Sequence, residues 1–446
     1  MRLTACVVAA ASLLAAACDS GSVASSGSAH GPCPTPAYRP PDPHRPQYAL
    51  DLRIDPSAHA VTGILRVVFT PDLATDRLVF RLWANGPVLQ KEGAHLAVGG
   101  ITVAGAPRAS HEPDPTTLVV PGHFSAGVAV TAGLRFRLTL PQDAKDRISQ
   151  HGEVIRLGSF FPILPWVAGR GWATDPPTPV PAETSTSPVA DFDVHIAAPD
   201  GLGIMASGER IRPGHWQADD VRDFAVATGD FRFAHVVAHA PRPVDVAVGV
   251  APGVAANPAQ VAALARHALE HLASLYGPYP WRTLSIAFGP DLRGEGIEYP
   301  TMIFEGPGAL HLIEPHEIAH QWFYSLVGND QATDPWLDEG LASYAGAETS
   351  GDVGFFSSLP LPPAARGRLG APMTYWDEHP DAYFAGVYAQ GVRAVSSAGP
   401  PDRVACALRR YVARNAYRIA DDADAVGAFA SVFPDARRHF AGYGVR

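Results

Sequence analysis

The sequence predicts an α+β chain of two domains, an antiparallel β domain followed by a mainly helical domain. Short runs in the first half alternate apolar and polar residues, whereas apolar residues in the second half recur at helical spacing. The length of 446 residues also exceeds what one ordinary domain needs. We expect the β domain to span residues 47–238 and the helical domain to span residues 239–446.

Composition and charge exclude several classes of protein. Hydrophobic residues make up 47% of the chain and charged residues 17%, a balance typical of globular proteins. Lys and Arg number 34 against 44 Asp and Glu, which gives a formal charge of −10. A general nucleic-acid binder needs a basic face, so we expect no nucleic-acid partner. The four cysteines cannot form a dense disulfide framework, although Cys33 and Cys406 could pair in an oxidising compartment.

The N-terminus has the features of an export signal. Arg2 precedes an apolar run that ends at Ala17 and is too short to span a bilayer, so residues 1–17 are predicted to be a signal peptide. The segment ending in Cys18 is similar to a bacterial lipobox, although Ala15 stands where a bulkier residue is usual. Residues 18–46 are rich in Ser, Gly and Pro and predict a flexible tether. We expect an exported lipoprotein anchored at Cys18 and facing outside the cytoplasm, with simple secretion as the alternative.

The β half is predicted from runs with a period of two. Apolar residues alternate with polar ones in the runs Tyr48–Ile54, Leu134–Leu140 and Phe192–Ile196. Such runs predict antiparallel sheets that have one solvated face, arranged as a sandwich or saddle.

The helical half opens with a well-marked helix. Asn257 and Pro258 are favourable for the first positions of a helix, and Gly277 is favourable just after its end. The apolar stripe between them includes Leu264 and Leu272 at helical spacing.

A candidate zinc site follows in His316-Glu317-Ile318-Ala319-His320. On a helix, residues four apart lie on the same side, so both imidazoles can bind one ion. Glu317 stands beside them as the predicted general base. We expect this helix to begin at Pro315 and to end at Gly328 with Asn329.

A third ligand is predicted on the next helix, which we expect to begin at Asp334 and Pro335. Glu339 follows His320 after 18 intervening residues, enough for a loop and an antiparallel return. Two imidazoles and one carboxylate would hold one zinc ion and leave a fourth position for water. The competing H-x-x-E-H pattern at His267–His271 places polar residues on the far side of its helix, and we interpret it as solvated surface.

The residues His316–Phe323 (HEIAHQWF) and Trp336–Gly340 (WLDEG) resemble the gluzincin aminopeptidases, the family of aminopeptidase N. The resemblance extends from Tyr48 to the C-terminus and is dense between about residues 276 and 391. It implies a thermolysin-like catalytic domain behind the β domain. It also implies release of N-terminal residues from peptides that have a free N-terminus.

The same resemblance suggests substrate-binding residues. Gly296–Pro300 is similar to the family's Gly-Ala-Met-Glu-Asn edge strand, with Glu298 at the glutamate that binds the α-amine and Tyr299 in place of Asn. Gly296 opens this segment and is assigned to substrate binding with it. Glu153 in the first half has a spacing similar to that of the family's second amine-binding residue.

Tyr388 lies in a Tyr-x-x-Gly pattern similar to the one that supplies the family's oxyanion-stabilising tyrosine, with Tyr383 and Tyr375 as alternatives. The chain ends 58 residues after Tyr388, so we expect a short form without the family's C-terminal helical domain. Two other functions stay open at this point: a zinc endopeptidase or other zinc hydrolase, and a non-catalytic zinc-stabilised binding protein. The preferred N-terminal residue and the oligomeric state are left open.

Overall fold

The structure is a computed structural model that describes residues 33, 36–180, 182, 185–292, 294–308 and 310–446. The predicted signal peptide and Cys18 lie outside these residues, as does most of the tether. The chain divides into residues 1–34, of which Cys33 alone is described, and a compact unit of residues 35–446. Cys33 and Cys406 are each disulfide-bonded. In the described part of the chain, no helix has the length and apolar character needed to cross a membrane.

The first half of the compact unit consists mainly of strands. They are β1 (Gln47–Asp55), β2 (Ala60–Phe69), β3 (Thr75–Arg81), β4 (His95–Val103), β5 (Ala106–Pro107), β6 (His111–Asp114), β7 (Thr117–Phe124), β8 (Val130–Thr139), β9 (Ile148–His151), β10 (Val154–Leu157), β11 (Trp166–Val167), β12 (Gly171–Trp172), β13 (Ala190–Ala197), β14 (Gly203–Ala206), β15 (Glu209–Arg212), β16 (His215–Val221) and β17 (Val226–Gly229). A 3₁₀ turn at Trp83–Asn85 and the short helix α1 (Pro87–Lys91) interrupt them.

These strands form open sheets around one hydrophobic core. The largest sheet has the order β15-β16-β13-β1-β2-β8-β4-β5, and smaller sheets have the orders β14-β17-β10-β9 and β3-β7-β6. The three predicted alternating runs are confirmed, because β1, β8 and β13 bury every second residue. The prediction of purely antiparallel sheets is wrong for one pair, since β1 and β13 are parallel. A parallel pair needs a long crossover, and strands β2 to β12 supply it.

The second half combines one five-stranded sheet with helices. Its strands are β18 (Arg232–His239), β19 (Pro243–Val250), β20 (Thr283–Phe288), β21 (Gly296–Tyr299), β22 (Met302–Glu305), β23 (Gly328–Asn329) and β24 (Ile419–Ala420). Its helices are α2 (Pro258–Tyr276), α3 (Leu310–Ala319), α4 (Glu339–Ser350), α5 (Val353–Ser358), α6 (Met373–Asp377), α7 (Gln390–Ser396), α8 (Pro401–Asn415), α9 (Asp422–Ala430) and α10 (Ala436–Ala441).

Helix α2 has the predicted ends. The Asn257 side chain accepts a hydrogen bond from the backbone N–H of Ala259 at 3.0 Å, and Gly277 ends the helix with a φ of 113°. Leu272 is buried, but the expectation for Leu264 is wrong because 42% of it is exposed. The inward stripe runs instead through neighbours such as Leu269.

The five-stranded sheet has the order β18-β19-β20-β22-β21, which places β21 at one edge. A second hydrophobic core lies between this sheet and the helices, and α2, β19 and β20 contribute to it. Strand β18 pairs with β19, so the chain changes from one sheet to the other between Gly229 and Arg232. The predicted boundary at residue 238 falls at the end of β18 and stays a prediction.

Candidate active site

Helix α3 carries the first half of the candidate metal site in its last turn. His316 and Glu317 lie within α3, and His320 follows directly after the helix, with its backbone N–H bonded to the carbonyl of His316 at 3.3 Å. The prediction that Pro315 begins this helix is wrong, because Pro315 lies inside it. A proline there lacks the N–H for one intrahelical hydrogen bond.

The predicted end of the helix at Gly328 is also wrong. After Ala319 the chain forms a wide turn, in which Ser325 N donates to His320 O at 2.8 Å and Val327 N donates to Trp322 O at 3.1 Å. These bonds span five residues rather than the four of an α-helix. Gly328 instead begins the short strand β23.

The third candidate ligand begins its own helix. Asp334 and Pro335 open a 3₁₀ turn rather than the predicted α-helix, and α4 starts at Glu339. Helices α3 and α4 approach closely at Gly346, where a Cβ atom would lie 2.9 Å from the backbone of His316. This close contact brings Glu339 beside the two imidazoles.

The three predicted ligands have the spacing that a tetrahedral metal ion requires. The two Nε2 atoms of His316 and His320 are 3.1 Å apart, and Oε2 of Glu339 lies 3.3 Å from the first and 3.6 Å from the second. Zinc bonds of about 2.0–2.1 Å at tetrahedral angles put neighbouring ligand atoms about 3.3 Å apart. The donor set therefore fits one zinc ion.

Charge around these ligands also favours a cation. Burial lowers the pKa of His316 and so favours the neutral imidazole that binds a metal. Burial also acts to lower the pKa of His320, but the carboxylates of Glu298 and Asp338 raise it well above its usual value. Burial acts to raise the pKa of Glu339, but the two imidazoles lower it. The buried carboxylates thus concentrate negative charge where the metal would bind.

Asp338 is a residue of this site that the sequence prediction missed. Its Oδ1 lies 2.7 Å from Nδ1 of His320, the ring nitrogen away from the other ligands, and Gln331 donates to its Oδ2 at 2.6 Å. A carboxylate behind a ligating histidine fixes the tautomer and orientation of the ring. Its position directly before Glu339 in WLDEG was the available signal.

Glu298 and Glu317 lie on the side of His320 that faces the edge strand. Single ligand atoms of Glu298, Glu317 and His320 are all within 4.8 Å of one another. Strand β21 carries Glu298 and pairs with β22 on one side only, so the other side of its backbone is at the sheet edge. Gly296 allows this approach, because a Cβ there would lie 2.4 Å from Glu317 side-chain atoms.

Tyr299, the residue that departs from the family pattern, ties the edge strand to the first half. Its side chain is buried, and its hydroxyl lies 3.2 Å from Oγ of Ser159. Gly158 makes room for it, because a Cβ at that position would lie 2.2 Å from the Tyr299 hydroxyl oxygen. The side chain that replaces the family's Asn therefore fixes β21 against the β domain.

Tyr388 lies in a π-helical turn at Ala385–Ala389, and its ring stacks on that of His316 at 5.9 Å between centroids. The turn lies close to α4, since a Cβ on Gly340 would be 3.2 Å from the carbonyl oxygen of Val387. The alternatives are placed differently: Tyr375 donates to the carbonyl of Ala364 at 2.8 Å, and neither Tyr375 nor Tyr383 lines the cleft.

A cleft of about 640 Å³ lies beside the candidate metal site. One wall comes from the second half and includes Gly296, Glu298, His316, Glu317, Glu339, Phe356, Phe384 and Tyr388. The opposite wall comes from the first half and contains Val88, Glu92, Lys145, Asp146, Arg147 and Ala182. The charged residues of this second wall were not predicted from the sequence.

The structure does not bring Glu153 to this cleft. Glu153 is exposed in the turn between β9 and β10 and is absent from the cleft lining. The H-x-x-E-H pattern on α2 is also away from the cleft, with His271 paired to Glu348 at 2.9 Å and Glu270 accepting from the backbone of His239. His267 on the same helix is exposed.

Solved structures that share this architecture are zinc metallopeptidases. Among solved structures, an M1 zinc metallopeptidase from Deinococcus radiodurans has a TM-score of 0.64 and 18% identity, covering 93% of this chain and 98% of that one. A two-domain M1 zinc metallopeptidase bound to L-arginine has a TM-score of 0.65 and 17% identity, with the same coverage. The chain therefore has the fold of the M1 zinc metallopeptidases, and the predicted fold class is confirmed.

Curated aminopeptidases match this sequence over a short stretch, so the chain spans only a small part of their length. Aminopeptidase RNPEPL1 of Mus musculus is 38% identical over 78 residues, which are 16% of this chain and 11% of that protein. Aminopeptidase B of Rattus norvegicus is 36% identical over 78 residues, 16% of this chain and 12% of that protein. No family model matches the sequence. The predicted resemblance to aminopeptidase N-like zinc metallopeptidases is confirmed by these similarities and by the fold.

Proposed function

We propose that this chain is a zinc-dependent aminopeptidase that binds one zinc ion through His316, His320 and Glu339. The observation that carries the proposal is the position of Glu298. Its carboxylate lies on an edge strand within 4.8 Å of the ligand atoms of Glu317 and His320. An exopeptidase needs a group that recognises a terminal ammonium next to the cleavage site, and a buried carboxylate does this through charge-assisted hydrogen bonds.

The side chains around the ligands have separate roles in hydrolysis. Zinc, when bound, supplies Lewis-acid polarisation of the scissile carbonyl and lowers the pKa of water. Glu317 accepts a proton from the attacking water and passes it to the leaving amine. Tyr388 stacks on His316 and lines the cleft, and its hydroxyl donates a hydrogen bond to the oxyanion.

The edge strand and the cleft would position the peptide. Because β21 is the last strand of its sheet, an extended substrate would lie along its outer edge, as in recognition by strand addition. Glu298 at this edge accepts hydrogen bonds from the α-ammonium, and so only the first peptide bond reaches Glu317. A cleft of about 640 Å³ has room for several residues of a peptide. One of the solved structures with this fold holds a Tyr-Ser-Ala substrate, which supports peptides as the substrate class.

We also propose that the protein is exported and anchored by a lipid at Cys18. The apolar leader that ends at Ala17 and the small residues before Cys18 support this proposal. Membrane fractionation of the full chain and of Cys18→Ser tests it. We expect the variant to move from the membrane to the soluble fraction, and equal distribution of both proteins would contradict lipidation.

The aminopeptidase proposal is tested by Glu298→Gln, with Glu153→Gln as the matched control in an exposed turn. Both variants and the parent protein are assayed on aminoacyl nitroanilides and on peptides whose N-terminus is acetylated. We expect cleavage of the free-amine substrates alone, and we expect a chelator to abolish it and added zinc to restore it. Glu298→Gln should lower kcat/KM by about 10- to 100-fold, since it removes one charged hydrogen-bond acceptor, whereas Glu153→Gln should leave it unchanged.

Other outcomes would identify the alternative functions. Cleavage of internal bonds in acetylated peptides that Glu298→Gln leaves intact would indicate an endopeptidase. A protein with full zinc content that cleaves none of these substrates would indicate a binding protein.

A further inference from the structure

A second group of metal-ligand side chains lies on the β domain. One ligand atom each of Asp193, His195 and His215 falls within 4.8 Å of the other two. None of the three lines the active-site cleft. The proposed aminopeptidase mechanism does not use them.

The register of the sheet explains why these side chains meet. His195 in β13 lies opposite His215 in the antiparallel neighbour β16, and opposite Asp51 in the parallel neighbour β1. Side chains two residues apart on a strand point to the same face, so Asp193 joins the same cluster. Three neighbouring strands therefore present two imidazoles and two carboxylates side by side on one face.

The contacts within this group are close. The rings of His195 and His215 stack with centroids 4.4 Å apart, and Nε2 of His215 lies 2.8 Å from Oδ1 of Asp193. Nδ1 of His195 lies 3.4 Å from Oδ1 of Asp51. The side chain of Asp193 is 49% exposed and that of His195 is 48% exposed, so an ion can enter directly from solvent.

We propose that Asp193, His195 and His215 bind a divalent transition-metal ion, Zn²⁺ in the first instance, with Asp51 as a fourth donor. Two imidazoles with carboxylates are a donor set that suits zinc and the neighbouring late transition metals. Ligand atoms around a tetrahedral zinc ion are about 3.3 Å apart. The ligand atoms lie within 4.8 Å of one another, so small rotations of the half-exposed Asp193 and His195 side chains would reach this spacing.

Arg212 opposes metal binding at this site. Its Nε lies 3.3 Å from Nδ1 of His215, so its positive charge is next to a proposed ligand. A metal ion at Nε2 needs the ring proton on Nδ1, where Arg212 now donates. Replacing Arg212 should therefore strengthen metal binding, an effect that a purely structural cluster of ion pairs would not show.

The chain contains a matched control on helix α2. His267 and His271 also stack, with centroids 6.2 Å apart, and His271 contacts a carboxylate of Glu348 at 2.9 Å. Within the part of the chain that the structure describes, this pair is not among the groups of three potential ligands. Its two imidazoles and one carboxylate do not converge on a common point.

The test measures the zinc content of the full chain after equilibration with micromolar Zn²⁺ and removal of free metal. His195→Ala/His215→Ala should hold one equivalent less than the parent protein, and His267→Ala/His271→Ala should hold the same amount as the parent. This difference does not depend on the catalytic site, and aminopeptidase activity should be unchanged in both variants. Titration of Arg212→Ala should give several-fold tighter binding of the second equivalent.

Three results would overturn the proposal. The first is equal zinc content in the parent and in His195→Ala/His215→Ala. The second is an equal loss in the α2 control. The third is an unchanged zinc affinity in Arg212→Ala, which would mean that the ion does not bind beside His215. Circular dichroism of each variant should show the native fold, and the single variant His195→Gln, at a half-exposed position where substitutions usually alter stability little, provides a milder repeat.

Discussion

The two groups of metal-ligand side chains use similar residues in different surroundings. In the cleft, His316, His320 and Glu339 are already 3.1–3.6 Å apart, and the packing of two helices at Gly346 holds them there. On the β domain, His215 lies 2.8 Å from Asp193 and His195 lies 3.4 Å from Asp51, and the side chains of Asp193 and His195 are about half exposed. Sheet register brings side chains together, whereas buried helix packing also fixes their distances.

The neighbouring side chains also distinguish the two groups: those of the cleft can take part in catalysis, whereas those of the surface cluster support metal binding alone. The cleft group has Glu317, Glu298 and Tyr388 beside it, whereas His195 and His215 have a neighbouring arginine. A general base and an oxyanion donor act only where they reach the reacting atoms. The comparison predicts that changes around the cleft affect turnover and that changes around the surface cluster affect metal content alone.

The largest expected effect comes from Glu317→Gln. The amide keeps the shape of the side chain but cannot accept the proton, so kcat should fall by about 10²- to 10⁴-fold. Zinc content should be unchanged, because Glu317 is not one of the three proposed ligands. Steady-state kinetics with aminoacyl nitroanilides and metal analysis of the same sample measure both quantities.

Glu348→Gln is the control for this prediction, since Glu348 pairs with His271 and does not line the cleft. Its activity should match that of the parent protein. If Glu317→Gln kept full turnover with zinc bound, the cleft would hold metal without using Glu317 as a base.

A smaller effect is expected for Asp338→Asn. The substitution removes the negative charge 2.7 Å from Nδ1 of His320 while keeping the side-chain size. Loss of such a partner typically weakens metal affinity by about 10- to 100-fold. Competition with a fluorescent zinc chelator measures the dissociation constant. Asp193→Asn should not change the affinity of the cleft, and equal affinity of Asp338→Asn and the parent would show that His320 needs no carboxylate behind it.

The sequence was informative where chemistry depends on local spacing. The pattern from His316 to Glu339 identified three side chains that the structure brings together, and short motifs pointed to Glu298 and Tyr388, which line the same cleft. Alternation with a period of two located β1, β8 and β13 because one face of each is buried. The alternating apolar residues of each strand reflect which side of that strand is buried, so each strand can be predicted from its own sequence.

Features that depend on distant contacts were not predictable in this way. The helix that carries His316 begins before Pro315, and its end at Ala319 depends on a wide turn that no residue type marks. Arg147 and Glu92 belong to a wall whose position depends on how the two halves pack. The spacing of Glu153 gave no information on this packing, and the structure places that residue in an exposed turn.

Asp223 shows what burial does to a carboxyl group outside both metal-ligand groups, and it supports the smallest expected effect. Burial raises the pKa of Asp223 to about 7, although Ser159 and the backbone N–H of Phe224 donate hydrogen bonds to it at 3.0 and 2.7 Å. In the unfolded chain its pKa would be about 3.9. Between these values the folded protein holds a proton that the unfolded chain releases, so stability should fall as pH rises through this range.

The expected contribution to this fall is about 1.4 kcal/mol per pH unit, for example between about pH 5 and pH 6, and it should level off above about pH 7. Asp223→Asn imitates the protonated carboxyl group and should remove this part of the pH dependence. Denaturant unfolding of both proteins across this range measures it. Parallel stability curves would contradict the prediction, because they would mean that Asp223 ionises alike in the folded and unfolded states. Burial acts to raise the pKa of both Asp223 and Glu339, but beside Glu339 the two imidazoles outweigh it and lower the pKa.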